Sequence, residues 1–204
     1  SGSVNLVENI NPYLVNGANL IIRKRLKPLA KFLPKMILGN QPREGGFLML
    51  TNNERNNLVD QDARISKFLK KLLGSNEFIN GVERWCIWIE DHQVEEARKI
   101  KEIAQRIDGV AKKRINGNSV EKSFAHVPHR FVTIKQPKEH QILLPIVSSE
   151  NREYIPIGIL DNTHVITSKA VVIFDCPVFI LGLLSSKLHM LWIKSVSGSL
   201  GTGI

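Results

Sequence analysis

A chain of 204 residues can bury a sizeable core, as one large domain or as two small lobes. Its 43% hydrophobic and 23% charged residues are ordinary for a globular protein. The longest apolar run, VFILGLL at 178–184, stops at Ser185, Ser186 and Lys187, short of the ~18 residues a membrane span needs, so no membrane partner is expected. A formal net charge of +9 with only two, widely separated cysteines argues against a disulfide scaffold and favours a polyanionic partner, nucleic acid first, in a reducing, cytoplasmic setting.

Ser1–Ser3 read as a tag remnant, no secretory signal opens the chain, and the domain is expected over 4–204. NLIIRKR at 19–25 and GFLML at 46–50 have the short apolar character of strands. Thr51 and Glu54 fit a capping box. Leu58, Ile65, Leu69, Leu72 and Leu73 then predict a helical stripe that ends at Gly74. EFINGVERWCIWI at 77–89 reads as a hairpin turning at Asn80-Gly81. Val94, Ala97, Ile100, Ala104, Ile107 and Ala111 predict one long amphipathic helix over 93–115. NGNS at 116–119 is the expected hinge between two lobes, and FVTIKQ, ILLPIV, EYIPIGIL and AVVIF are expected strands before a C-terminal helix over 178–196. Strands and helices in no strict alternation imply an α+β fold with mixed sheets and hairpins.

Basic residues crowd the middle of the chain, among them Arg98, Lys99, Lys101, Arg106, Lys112, Lys113, Arg114, Lys122, Arg130, Lys135 and Lys138. From charge alone, Lys112, Lys113, Arg114 and Arg130 are candidate phosphate contacts; a solvated helix face is the competing reading. Catalytic candidates fail on context. Asn11-Pro12-Tyr13 is similar to the Asn-Pro-Pro-aromatic loop of adenine-N6 methyltransferases but lacks the second proline and reads as a turn. His126 and His129 with Cys86 and Cys176 match no usual zinc spacing, and His92 with Glu95 and Glu96 is not HExxH. Neither a catalytic residue nor a metal site is expected. The competing classes are a stand-alone metal-dependent enzyme, which needs a ligand set, and a basic protein-interaction scaffold, which would tolerate loss of the basic stripe.

In LLPIVSSENREYIPIGIL at 143–160, two apolar arms enclose Ser148, Ser149, Glu150, Asn151, Arg152 and Glu153. Glu accepts from cytosine N4, Arg donates twice to guanine and Asn pairs bidentately with adenine, so the island suits a major groove. A solvated turn is the plainer alternative.

SSENREYIPIG also resembles the SSERR-YIPIG block of the MmeI-like, type IIL restriction-modification enzymes. INPYLVNG, KMILGNQPREGGFLML, LLGSNEFINGVERWCIW and SKLHMLWIKSVSGSL are similar, in order, to further blocks of that family's C-terminal target recognition domain. The resemblance spans about Ile10 to Ile204. It implies a sequence-specific DNA recognition module, acting on double-stranded DNA beside nuclease and methyltransferase domains of the same polypeptide. Those domains, not this chain, would use S-adenosylmethionine and a divalent metal. The resemblance further implies DNA contacts at Gln41 and Arg43 in GNQPR, at Glu150, Asn151 and Arg152, and at Ser168 and Lys169 in TSKA. Asn151 stands where the family has arginine, and so does Ser199. Gly201 and Gly203 fall at two family positions that read one base pair, with Thr202 as the hydroxyl between them. Ile204 stands where a tyrosine would follow, so the reading surface is expected to be cut short there.

Overall fold

The structure is a computed structural model and describes residues 6–12, 14, 16–19, 21, 32–149 and 151–196. Most of the strand expected over 19–25 lies outside the described residues, as do Glu150 and the terminal run 197–204. The elements in chain order are β1 (Ile37–Leu38), β2 (Met49–Thr51), α1 (Asn52–Gln61), a 3-10 turn (Ala63–Phe68), β3 (Leu69–Leu73), α2 (Ser75–Asn80) and β4 (Arg84–Ile87). A second 3-10 turn (Asp91–Gln93), α3 (Val94–Ala97), α4 (Lys101–Ile115), α5 (Ser119–Ser123) and β5 (His140–Pro145) follow. The chain then forms β6 (Gly158–Asp161), β7 (His164–Ile166), β8 (Ala170–Phe174), α6 (Phe179–Leu184) and α7 (Lys187–Val196).

The α+β class is as the element order implies, with two four-stranded sheets, β2-β4-β3-β7 and β1-β8-β5-β6. The first is mixed, because β3 pairs antiparallel with β4 and parallel with β7. The second is antiparallel, with Leu143 opposite Val172 and Ile142 opposite Ile159. Ile103, Ile107 and Val110 of α4 share the larger core with Leu48, Ile65, Phe68 and Ile87. Ile142, Leu144 and Ile173 on one face of the second sheet meet Ile180 and Leu184 of α6. Its other face carries Leu143, Ala170 and Val172, which join Ile166, Leu73 and Phe78. That third cluster is the seam between the sheets. Among the described residues the chain passes between the sheets four times, and two of these crossings, between β1 and β2 over 39–48 and between β7 and β8 over 167–169, run side by side.

The capping box forms as its spacing predicts: Glu54 N–H donates to Thr51 Oγ1 at 3.2 Å and Thr51 N–H to Glu54 Oε2 at 2.8 Å. The helical stripe does not run on to Leu73. Asp62 Oδ1 accepts from Arg64 N–H at 2.9 Å and starts a tighter turn. Leu69–Leu73 then become a central strand, because pairing on both edges outweighs local propensity. Gly74 accordingly precedes α2 rather than ending a helix. The expected hairpin at 77–89 is a helix and one strand. Gly81 does take a positive φ of 65°, but as the left-handed cap of α2.

The helix expected over 93–115 is broken at Arg98–Ile100, where the amides of Lys99 and Ile100 bond back to Glu96 and Ala97 and bury Ile100. FVTIKQ is irregular rather than a strand, its Phe131 packed edge-to-face on Trp88 at 5.6 Å between ring centres. The C-terminal helix is two helices, since Ser186 Oγ accepts from His189 N–H and caps the second. Residues 116–119 turn between α4 and α5, where Asn118 Oδ1 accepts from Glu121 N–H at 3.1 Å.

Candidate nucleic-acid interface

Asn40 ties the 39–48 and 167–169 crossings together. Its Nδ2 donates to Ile166 O at 2.9 Å and Lys135 O at 3.0 Å, and its Oδ1 accepts from Lys135 N–H. Its main chain bonds Ile166 O at 2.7 Å and accepts from Ser168 N–H at 2.7 Å. The approach is so close that a Cβ on Gly39 would lie 2.5 Å from the carbonyl oxygens of Ile166 and Thr167. Only glycine fits there.

Beyond Asn40 the chain turns sharply, with Arg43, Gly45 and Gly46 all at positive φ (42°, 77° and 87°). Glu44, 1% exposed, holds the turn from inside: Oε1 accepts from Gly46 N–H at 3.0 Å and Oε2 from Leu48 N–H at 2.5 Å. The carboxylate is thus spent on backbone amides rather than turned towards a ligand.

The two crossings rim a cleft of about 360 Å³, floored by Met49 and Leu72. Four cations line it, Arg43, Arg84, Lys113 and Lys169, together with Ser168 and Thr167. Its carboxylates are occupied, since Glu77 accepts from Gly74 N–H at 2.8 Å and Arg84 Nη1 at 3.2 Å. Lys113 pairs with Glu121 and holds that carboxyl below the usual range. Arg43 and Lys169 stand exposed at the rim. Two cations beside hydroxyl and backbone donors form a surface suited to phosphate oxygens and base edges.

Arg43, Lys113, Ser168 and Lys169 therefore come together, with Gln41 beside them on the same crossing, its carbonyl accepting from Thr133 N–H at 3.3 Å. Lys112 is exposed on α4 but does not line the cleft. Arg130 is partly buried, its guanidinium 3.5 Å from Asp91. Asn151 and Arg152 lie on a separate exposed turn. Glu150, Gly201, Thr202 and Gly203 lie outside the described residues.

Arg114 is a correction. It is fully buried, and its guanidinium donates to the carbonyls of Pro42, Arg43, Phe124, Val127 and Arg130 at 2.7–3.3 Å, so it offers nothing to a phosphate. The signal was in the spacing, because Ile103, Ile107, Val110 and Arg114 recur on one face of α4. Sequence reasoning also missed Arg84, which heads β4 and reaches the cleft. The zinc alternative falls on geometry: Cys86 is buried in the first core and Cys176 in the second, while His129 is bonded to Asp91 at 2.7 Å. Among the described residues, no group of three His, Cys, Asp or Glu is placed to hold a metal ion, and no helix is long and apolar enough to cross a membrane.

An α+β fold that gathers cations and short polar side chains where the chain crosses between two sheets defines a domain built for recognition. The chain belongs to the MmeI target recognition domain family, whose model matches residues 16–204. It is 36% identical over 204 aligned residues to "DNA methyltransferase A" of Bacillus subtilis (strain 168), covering 97% of this chain and 22% of that protein. A solved structure of the type IIL restriction-modification enzyme MmeI in complex with DNA superposes with a TM-score of 0.84 at 35% identity, covering 95% of this chain and 26% of that one. The chain thus spans about a quarter of the length of these relatives.

Proposed function

We propose that this domain reads double-stranded DNA for a larger single polypeptide that methylates adenine at N6 and cleaves DNA. The observation that carries this reading is the convergence of Arg43, Ser168 and Lys169, three residues marked as DNA contacts by the family resemblance, on the rim of one cationic cleft. The relatives support it: one is described as a DNA methyltransferase and another was solved bound to DNA. Methyl transfer from S-adenosylmethionine and metal-dependent cleavage belong to the part of the polypeptide outside this chain. Within it, Arg43 and Lys169 supply charge at the rim, and Gln41 and Ser168 offer donors and acceptors to base edges. Arg152 and Asn151 form a second contact point, and Gly201 and Gly203 leave one base pair of the site without a side-chain reader.

Fluorescence anisotropy with a labelled duplex at several salt concentrations tests the reading. Roughly four to eight phosphate contacts give a log-log salt slope of about −4 to −7. Salt-independent binding, or none at low salt, contradicts it.

A further inference from the structure

We propose that Arg114 is a positioning residue for DNA reading, one that touches no DNA and whose buried guanidinium locks the Pro42–Arg43 turn to the Phe124–Arg130 segment. The inference rests on the DNA-reading role proposed above and adds the device that holds its contact loop in shape. An arginine side chain has five N–H donors, and here all of them are used. Nε donates to Arg43 O at 3.1 Å, Nη1 to Phe124 O at 3.1 Å and Val127 O at 2.8 Å, and Nη2 to Pro42 O at 3.3 Å and Arg130 O at 2.7 Å. No donor remains for a phosphate, and the residue is 0% exposed.

The acceptors come from two segments that lie more than 70 residues and between 10 and 16 residues away in sequence. One carries Arg43 at its left-handed φ of 42°. The other carries Arg130, whose side chain reaches Asp91 at 3.5 Å. Burial disfavours the Arg114 charge, while Glu44 and Glu121 favour it from nearby. Glu44 is also the residue that bonds the amides of Gly46 and Leu48. Arg114 and Glu44 therefore brace the same turn, one through its carbonyls and the other through its amides. A lysine could not replace the arginine, because three donors on one nitrogen cannot reach five carbonyls arranged around a planar fork.

The test compares the wild type with Arg114→Lys, Arg43→Ala and the double variant, by duplex anisotropy across salt and by amide hydrogen exchange. Arg114→Lys is expected to weaken binding about tenfold with an unchanged salt slope, and to speed exchange over 41–46 while β4 and α6 stay protected. Arg43→Ala is expected to flatten the slope by about 1. In the double variant the combined loss should be smaller than the product of the two single losses, because an unheld Arg43 contributes less. Wild-type affinity in Arg114→Lys, faster exchange throughout the domain, or fully independent losses would each overturn the proposal. A wild type that binds no duplex at low salt is a different failure, that of the DNA-reading role itself.

Discussion

The turn over 41–46 and the turn that carries Ser148, Ser149, Asn151 and Arg152 present similar polar and basic side chains and are supported differently. The first is held from outside as well as by its own Glu44: Arg114 takes its carbonyls, Thr133 bonds Gln41 O, and Asn40 fixes its start against β7. The second is held by its own members, with Arg152 N–H on Ser149 O at 3.2 Å, Asn151 N–H on Ser149 Oγ at 3.3 Å and Arg152 Nη1 on Ser148 Oγ at 3.4 Å. Binding through the first costs little ordering, because folding has already fixed it. Binding through the second must also offset the ordering of a turn tied mainly to itself. Similar chemistry therefore yields unequal affinity.

The largest expected effect comes from breaking the support at its root. Gly39→Ala places a methyl 2.5 Å from two carbonyl oxygens, both backbone. It should lower stability by about 3 kcal/mol or more in urea unfolding and abolish DNA binding. Asn40→Ala leaves Lys135 N–H and Ile166 O without their side-chain partner, a loss of about 2 kcal/mol expected in the same measurement. The two turns are compared directly by Arg43→Ala and Arg152→Ala. The first should weaken duplex binding by about tenfold and the second by about two- to threefold, since the second contact bears its own ordering cost. Equal losses would remove the distinction between held and unheld turns.

The smallest effect is in acid. Lys113 lowers the Glu121 carboxyl, and Asp161 is lowered to about 2 by bonds from Thr163 and His164. Lowered carboxyls stabilise the fold above their unfolded values of about 4, and that contribution is lost as pH falls towards 2. Thermal melts should be flat from about pH 5 to 8 and decline modestly below about pH 4, because the exposed Asp161 is screened by solvent.

Much of the scaffold was legible because its signals are local. Thr51 and Glu54 cap a helix through bonds three residues apart, and the apolar arms of 142–147 and 153–160 overlap β5 and, at their far end, β6. What misled was context. Leu69–Leu73 has a pattern that serves a helix or a strand, and only its partners β4 and β7, one of them about 90 residues away, decide between them. Asn80-Gly81 announced a positive φ but not whether a hairpin or a helix cap would use it. In the cleft, Arg43, Ser168 and Lys169 were found through family blocks, whereas Arg84 needed the fold; the burial of Arg114 was legible in its spacing along α4 but was overridden by its charge. Lys112, Lys113 and Arg114 are one charge run whose members end up exposed, ion-paired and fully buried.

The most direct test maps amide hydrogen exchange of this chain with and without a saturating duplex at low salt. Protection concentrated over 41–46 and 167–169, with a smaller gain over 148–152, is the predicted result. Protection on α6 and α7 with none at the cleft would contradict the account.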